Sequence, residues 1–183
     1  AGLAMDLPAA SPTAAPVLDM DLSPALRIIR GPLEKHTLEG RTVGILIADG
    51  TDAGALNALT SAIAAAKGQA KLIAPKIGKV PLSDGSAVAA DAQLFGQPSP
   101  TVDACAIVLS AEATAKLVKE GAAVQWVMDG FGHLKAIGAN PEAKPLLDKA
   151  GVEPDEGVTD LAGFVEAAKK RYWDREPNVR TLA

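Results

Sequence analysis

One run constrains this chain more than any other. "RTVGILIADG", Arg41 to Gly50, carries Val43, Ile45, Leu46 and Ile47 almost without interruption and then stops at Asp49 and Gly50. An apolar run with no polar alternation has no solvent face, so it suits a strand of a parallel sheet covered on both sides. The segment that follows changes period: Leu56, Leu59, Ile63 and Ala66 recur at helical spacing, and Gly68 reads as the helix stop. A strand feeding a helix is the unit from which α/β domains are built.

The pattern recurs. "QAKLIAP" reads as a second strand closed by Pro75, and "VPLSDGSAVAAD" as a hairpin turning at Asp84 and Gly85. "QLFGQPSPTVDA" reads as a loop, and "CAIVLS" as the next buried strand. Two helices follow, "AEATAKLVKEG" and "AVQWVMDGFGHLK", the second with Val124, Val127, Met128, Phe131 and Leu134 on one face. "KAIGA" is strand-like. "NPEAKPLLDKAG" starts a helix, with Asn140 as N-cap and Pro141 in its first turn. "EGVT" gives a short last strand. "DLAGFVEAAKKRYWDR" reads as one closing helix, capped by Asp160, with Lys169, Lys170 and Arg171 favourably near its end. The expectation is an α/β flavodoxin-like three-layer sandwich around a mainly parallel sheet, strand order 2-1-3-4-5.

Residues 1–38 do not read as part of that unit. Pro8, Pro12, Pro16, Pro24 and Pro32 stand among Ala, Ser and Asp, the composition of an extended arm or linker, with Leu18, Met20, Leu22, Leu26, Ile28 and Ile29 as apolar anchor points. Residues 39–183 are the domain. Its core is expected to be small and aliphatic, because aromatics are only 3% of the chain. A formal charge of -4 and the lack of a basic stripe argue against nucleic acid. No apolar stretch is long enough to span a membrane, and no secretory signal is read at the start. The missing initiator Met suggests a processed form or an excised fragment. The compartment is left open.

In such a fold, ligands bind beyond the carboxyl ends of the strands. Three loops therefore matter: Asp49 to Gly54, Ser110 to Thr114 and Gly138 to Glu142. The first has neither glycine-rich phosphate fingerprint. Its Asp49 and Asp52 would repel phosphate and are better read as starting and capping a helix. The third, within "KAIGANPEA", has the strand-to-helix setting of a nucleophile elbow, but its apex is Gly138, which offers no attacking group. Gly138 reads instead as a tight turn with close backbone approach. Cys105 lies inside a strand and reads as a buried hydrophobe. His36 and His133 join no triad, and with one Cys and two His a zinc site is not expected. Tyr172 does not read as a haem ligand, and Trp126 and Trp173 read as packing residues.

"GRTVGILIADG", "KGQAKLIAPKIGKVPLSDGSAVAADAQLFGQPSPTVDACAIVL" and "HLKAIGANPEAKPLLDKAGV" resemble the C-terminal domain of large-subunit catalases, with fungal enzymes in view. "SPAL", near Ser23, looks like the linker from the catalase core. The resemblance implies a flavodoxin-like domain of the class I glutamine amidotransferase-like (ThiJ/PfpI) superfamily. It also implies a haem-dependent, tetrameric, peroxide-decomposing parent. Active members of that superfamily carry a nucleophilic cysteine where this chain has Gly138. They carry a partnering acid near the position of Ala55, where Asp52 is the nearest carboxylate. Ser110 and Ala111 stand in place of two glycines. The resemblance therefore implies a domain without catalysis or cofactor of its own, haem belonging to the parent. By the same resemblance it is expected to stabilise that enzyme and to bind partly unfolded proteins as a chaperone-like module. Its expected partners are the catalase core, further copies of itself and such clients. Alternatives are ligand binding or hydrolase-type activity at a relic pocket of Asp52, Ser110, Gly138 and Asn140, or a structural role in tetramer assembly and haem access.

Overall fold

A computed structural model describes residues 37–179. Residues 1–36 of the expected arm over 1–38, with its apolar anchors, His36 and the "SPAL" segment, lie outside the described residues, while Leu38 is buried in the domain core. Six strands form one sheet in the order β5-β2-β1-β6-β7-β8, and every pairing in it is parallel. Its strands are β1 (Thr42–Ile47), β2 (Gln69–Ala74), β5 (Ala92–Gln93), β6 (Ala104–Val108), β7 (Ile137–Ala139) and β8 (Val158–Thr159). The antiparallel pair β3 (Gly78–Pro81) and β4 (Ala87–Ala90) stands apart as the expected Asp84-Gly85 hairpin, with Gly85 at φ 83. Counting only the sequence-read strands, the order is the expected 2-1-3-4-5.

Both faces of the sheet are covered, as the apolar run of β1 requires. Along β6, Cys105 and Ile107 face one apolar layer, while Ala104, Ala106 and Val108 face the other. The first layer is closed by α2 (Ala111–Leu117), α3 (Gly121–Gly132) and α4 (Lys144–Lys149), through Leu117, Trp126, Val127 and Leu146. The second is closed by α1 (Ala53–Ala65) and α5 (Phe164–Ala167), through Leu56, Leu59, Ile63 and Phe164. The flavodoxin-like three-layer sandwich is therefore the fold. No helix among the described residues is long and apolar enough to cross a membrane.

Among the secondary-structure elements, three departures from the sequence reading stand out. The "QLFGQPSPTVDA" segment is not all loop: the residues just before and within it, Ala92 and Gln93, pair with Ile73 and Ala74 and add a sixth strand at the sheet edge. The helix stop at Gly68 works differently, because Lys67 takes the left-handed conformation at φ 63. Gly68 is required for space, since a Cβ there would stand 2.8 Å from Leu38 Cβ.

The third departure is the closing helix, which is broken. Asp160 still accepts from the Gly163 N–H, but α5 ends at Ala167 and the chain turns before α6 (Glu176–Val179). Tertiary partners outbid the helical ladder. Arg41 donates to the Ala168 and Lys169 carbonyls, and the Tyr172 N–H bonds Leu134 O. Arg175, 5% exposed, is drawn inward. It grips Asp155 with two nitrogens at 2.6 and 2.9 Å, donates to the Phe131 and Lys135 carbonyls, and lies 4.0 Å over the Phe131 ring. The planar guanidinium satisfies all of these at once, which a lysine could not do.

Candidate functional site

The three loops singled out from sequence meet at the carboxyl end of the sheet, and polar side chains lace them together. Thr51, fully buried, accepts from the Ala48 N–H and donates to Val108 O at 2.7 Å, so the loop after β1 is tied to the end of β6. Ser110 donates to Asp49 O at 3.1 Å and accepts from the Ala113 N–H, which caps α2. Asn140 completes the seam. Its Oδ1 accepts from the Leu109 N–H at 3.0 Å while its Nδ2 donates to Leu109 O at 2.7 Å and to Glu142. Asp52 accepts from the Ala55 N–H at 2.7 Å as the N-cap of α1.

Every one of these polar groups is thus engaged with backbone. Asp52 is the expected cap. Asn140 occupies the N-cap position of the turn at Pro141–Ala143, but its side chain makes no capping bond there; it bridges strands instead. Thr51 was missed from sequence. The only signal was a hydroxyl between Gly50 and Asp52, in a loop scanned for phosphate binding.

Gly138 is not the apex of a turn. It lies within β7, paired with Ala106 and Thr159, and it has no left-handed φ. The chain leaves the strand through Asn140 in an extended conformation, φ -77 and ψ 159. The expected close approach is real, but it comes from a side chain. A Cβ on Gly138 would stand 2.4 Å from Phe164 Cδ2 and 2.5 Å from its Cγ. Phe164 is fully buried there. The elbow position is therefore packed against an aromatic ring from α5.

The other candidates have structural surroundings. Cys105 is fully buried in β6, and burial pushes its thiol up to about 12, so the nucleophilic thiolate is suppressed. Tyr172 donates its hydroxyl to Ala167 O, and His133 sits at the exposed end of α3 with Nδ1 2.7 Å from Asp129 O. Trp126 is buried and donates to Gln97 O, a packing role as expected.

Residues 39–175 match the family model described as the C-terminal domain found in long catalases. The chain belongs to that family. It is 43% identical over 172 residues to catalase C of Rhizobium meliloti, covering 88% of this chain and 24% of that protein. Against catalase-1 of Neurospora crassa it is 41% identical over 136 residues, covering 74% of this chain and 18% of the relative. The chain thus spans under a quarter of the length of those two enzymes, one bacterial and one fungal. Among solved structures, a ThiJ/PfpI domain protein from Brachyspira murdochii superposes with a TM-score of 0.58 at 11% identity, over 73% of this chain and 78% of that one. Schizosaccharomyces pombe DJ-1 does so with 0.55 at 19% identity, over 73% and 76%. At such identities the likeness establishes the shared ThiJ/PfpI fold and nothing of the chemistry.

Proposed function

We propose that this domain serves a long catalase as a structural module that performs no covalent chemistry of its own. The observation that carries the reading is the packing at Gly138, the position that the resemblance assigns to a catalytic cysteine: the Phe164 ring occupies the space a side chain would need. The neighbouring polar groups of Asp52, Ser110 and Asn140 support it, since each is engaged with backbone. A nucleophile needs a base and oxyanion donors left available to substrate. In this reading haem chemistry and peroxide decomposition reside elsewhere in the parent enzyme. The domain contributes by docking on the catalase core and through contacts between copies.

The chaperone expectation has weaker support. Capturing unfolded clients calls for an apolar patch of a few hundred square ångströms. Among the described residues the large exposed hydrophobics are Ile77 and Phe95. Two assays test the reading on the isolated chain. Esterase, peptidase and glyoxalase substrates should show no turnover above buffer, and turnover that tracks the folded protein would overturn the proposal. Light scattering from a heated client enzyme tests the chaperone expectation separately: suppression at equimolar domain would support it, and unaffected scattering would count against it.

A further inference from the structure

A cleft of about 500 Å³ opens beside the seam, between the ends of β1 and β2, the hairpin and α2. Its position is the topological switch point of the sheet: from β1 the chain first steps to β2 on one side and later to β6 on the other. Open α/β sheets bind their ligands at that point. The volume lies in the range of small-molecule sites. Ala74, Val80 and Leu117 supply apolar wall, and Ile77, 69% exposed, adds apolar surface.

The charged lining is unlike the rest of the molecule. Lys76, Lys79 and Lys116 line the cleft from the β2–β3 connection, the hairpin and α2, together with Asp49 and Glu120. Three cations against two anions leave one net positive charge, on a chain whose formal net charge is -4. None of the three lysines is held in an ion pair among the described residues. A concave site with low-dielectric walls focuses such a charge on whatever enters.

We infer that this cleft binds a small organic monoanion, a carboxylate or sulfonate on an apolar body. The lysines meet the anionic group, and the body covers Ile77 and the apolar wall. Asp49 and Glu120 set the upper limit on ligand charge, because a polyphosphate would bring its further charges against them. The site is separate from Gly138 and does not depend on the structural role proposed above.

The test is a titration of the 183-residue chain, followed by amide chemical shifts, with a naphthalene sulfonate as anionic probe and naphthol as its uncharged counterpart. The sulfonate should bind saturably, with shifts centred on Ala48, Ala74 and Ala113. Naphthol should bind about tenfold more weakly, the value of one charge-assisted contact. The double variant Lys79→Gln/Lys116→Gln should weaken sulfonate binding by about tenfold or more. Lys149→Gln, on α4, should leave it unchanged. All three lysines are exposed, so the variants keep the fold, which the unfolding midpoint verifies. Absence of saturable binding, shifts centred elsewhere, equal affinity for naphthol, or unaltered affinity in the double variant would each overturn the inference.

Discussion

The ring of Phe164 lies over Gly138 with no space for a β-carbon between them: one built on the glycine would sit 2.4 Å from Cδ2 and 2.7 Å from Phe164 Cβ. Both residues are buried, and the contact joins β7 to α5 across one layer of the sandwich. Gly138→Ala must therefore displace the ring or the strand. Overpacking of this kind costs about 1–3 kcal/mol. Gly138→Cys, the change that would recreate a nucleophile, should cost at least as much. Gly138→Ala should cost less in a Phe164→Ala background, which removes the Cγ and Cδ2 that a new β-carbon would meet, read as a non-additive cycle in urea unfolding. Additive losses would mean that the two residues do not share this space.

Asn140 holds Leu109 by both its amide groups, and this pair ties β7 to the end of β6. Asn140→Asp keeps the shape and the acceptor but removes the donor, placing a carboxylate oxygen against the Leu109 carbonyl. A loss of about 1–3 kcal/mol at neutral pH follows from an unpaired and repelled acceptor. Protonation of the new carboxyl would restore a donor, so the deficit should shrink on acidification. Equal stability of Asn140→Asp and wild type at neutral pH, by denaturant midpoint, would show that the pair contributes nothing.

Asp155 supplies the pH dependence. Burial resists its ionisation, but hydrogen bonds from Arg175 and the Gly157 N–H, with the Arg175 charge, outweigh that and hold its carboxyl below the ordinary value of 3.8. A carboxylate with a depressed folded pKa contributes stability above the unfolded value and loses it as pH falls through the folded one. Wild type should therefore lose stability below about pH 4 faster than Asp155→Asn, whose curve lacks this component. Parallel curves from pH 6 down to pH 2, by thermal midpoint, would remove Asp155 from the account.

Much of the fold was legible because its signals are local. The β1 run has no polar alternation, Leu56, Leu59 and Ile63 keep helical spacing, and Asp84-Gly85 has turn chemistry; each fixes its own element. The broken last helix was not legible, since Arg41, Leu134 and Asp155, which pull it apart, lie between 20 and 128 positions from their partners. The edge strand β5 is two residues long, too short for any period to register.

The site followed the same division. The loops after β1, β6 and β7 were legible as neighbours, because the topology places them together at one end of the sheet. Their roles were only partly legible. Asn before Pro141 reads as a cap, but the group it binds is 31 residues away. A glycine in "AIGAN" reads as a turn, while its reason is a ring on a helix that begins at Phe164. The lysine-lined cleft went unread, since Lys76, Lys79 and Lys116 stand on three separate elements and form no spacing motif.

The central claim is that this domain acts on a long catalase through stability. It is tested most directly by irreversible heat inactivation of such an enzyme with and without residues 39–183, measured as residual peroxide decomposition against time. The account predicts clearly faster inactivation of the truncated enzyme, with its initial turnover per haem retained. Identical inactivation rates, or loss of turnover per haem in truncated enzyme that remains folded, would contradict it.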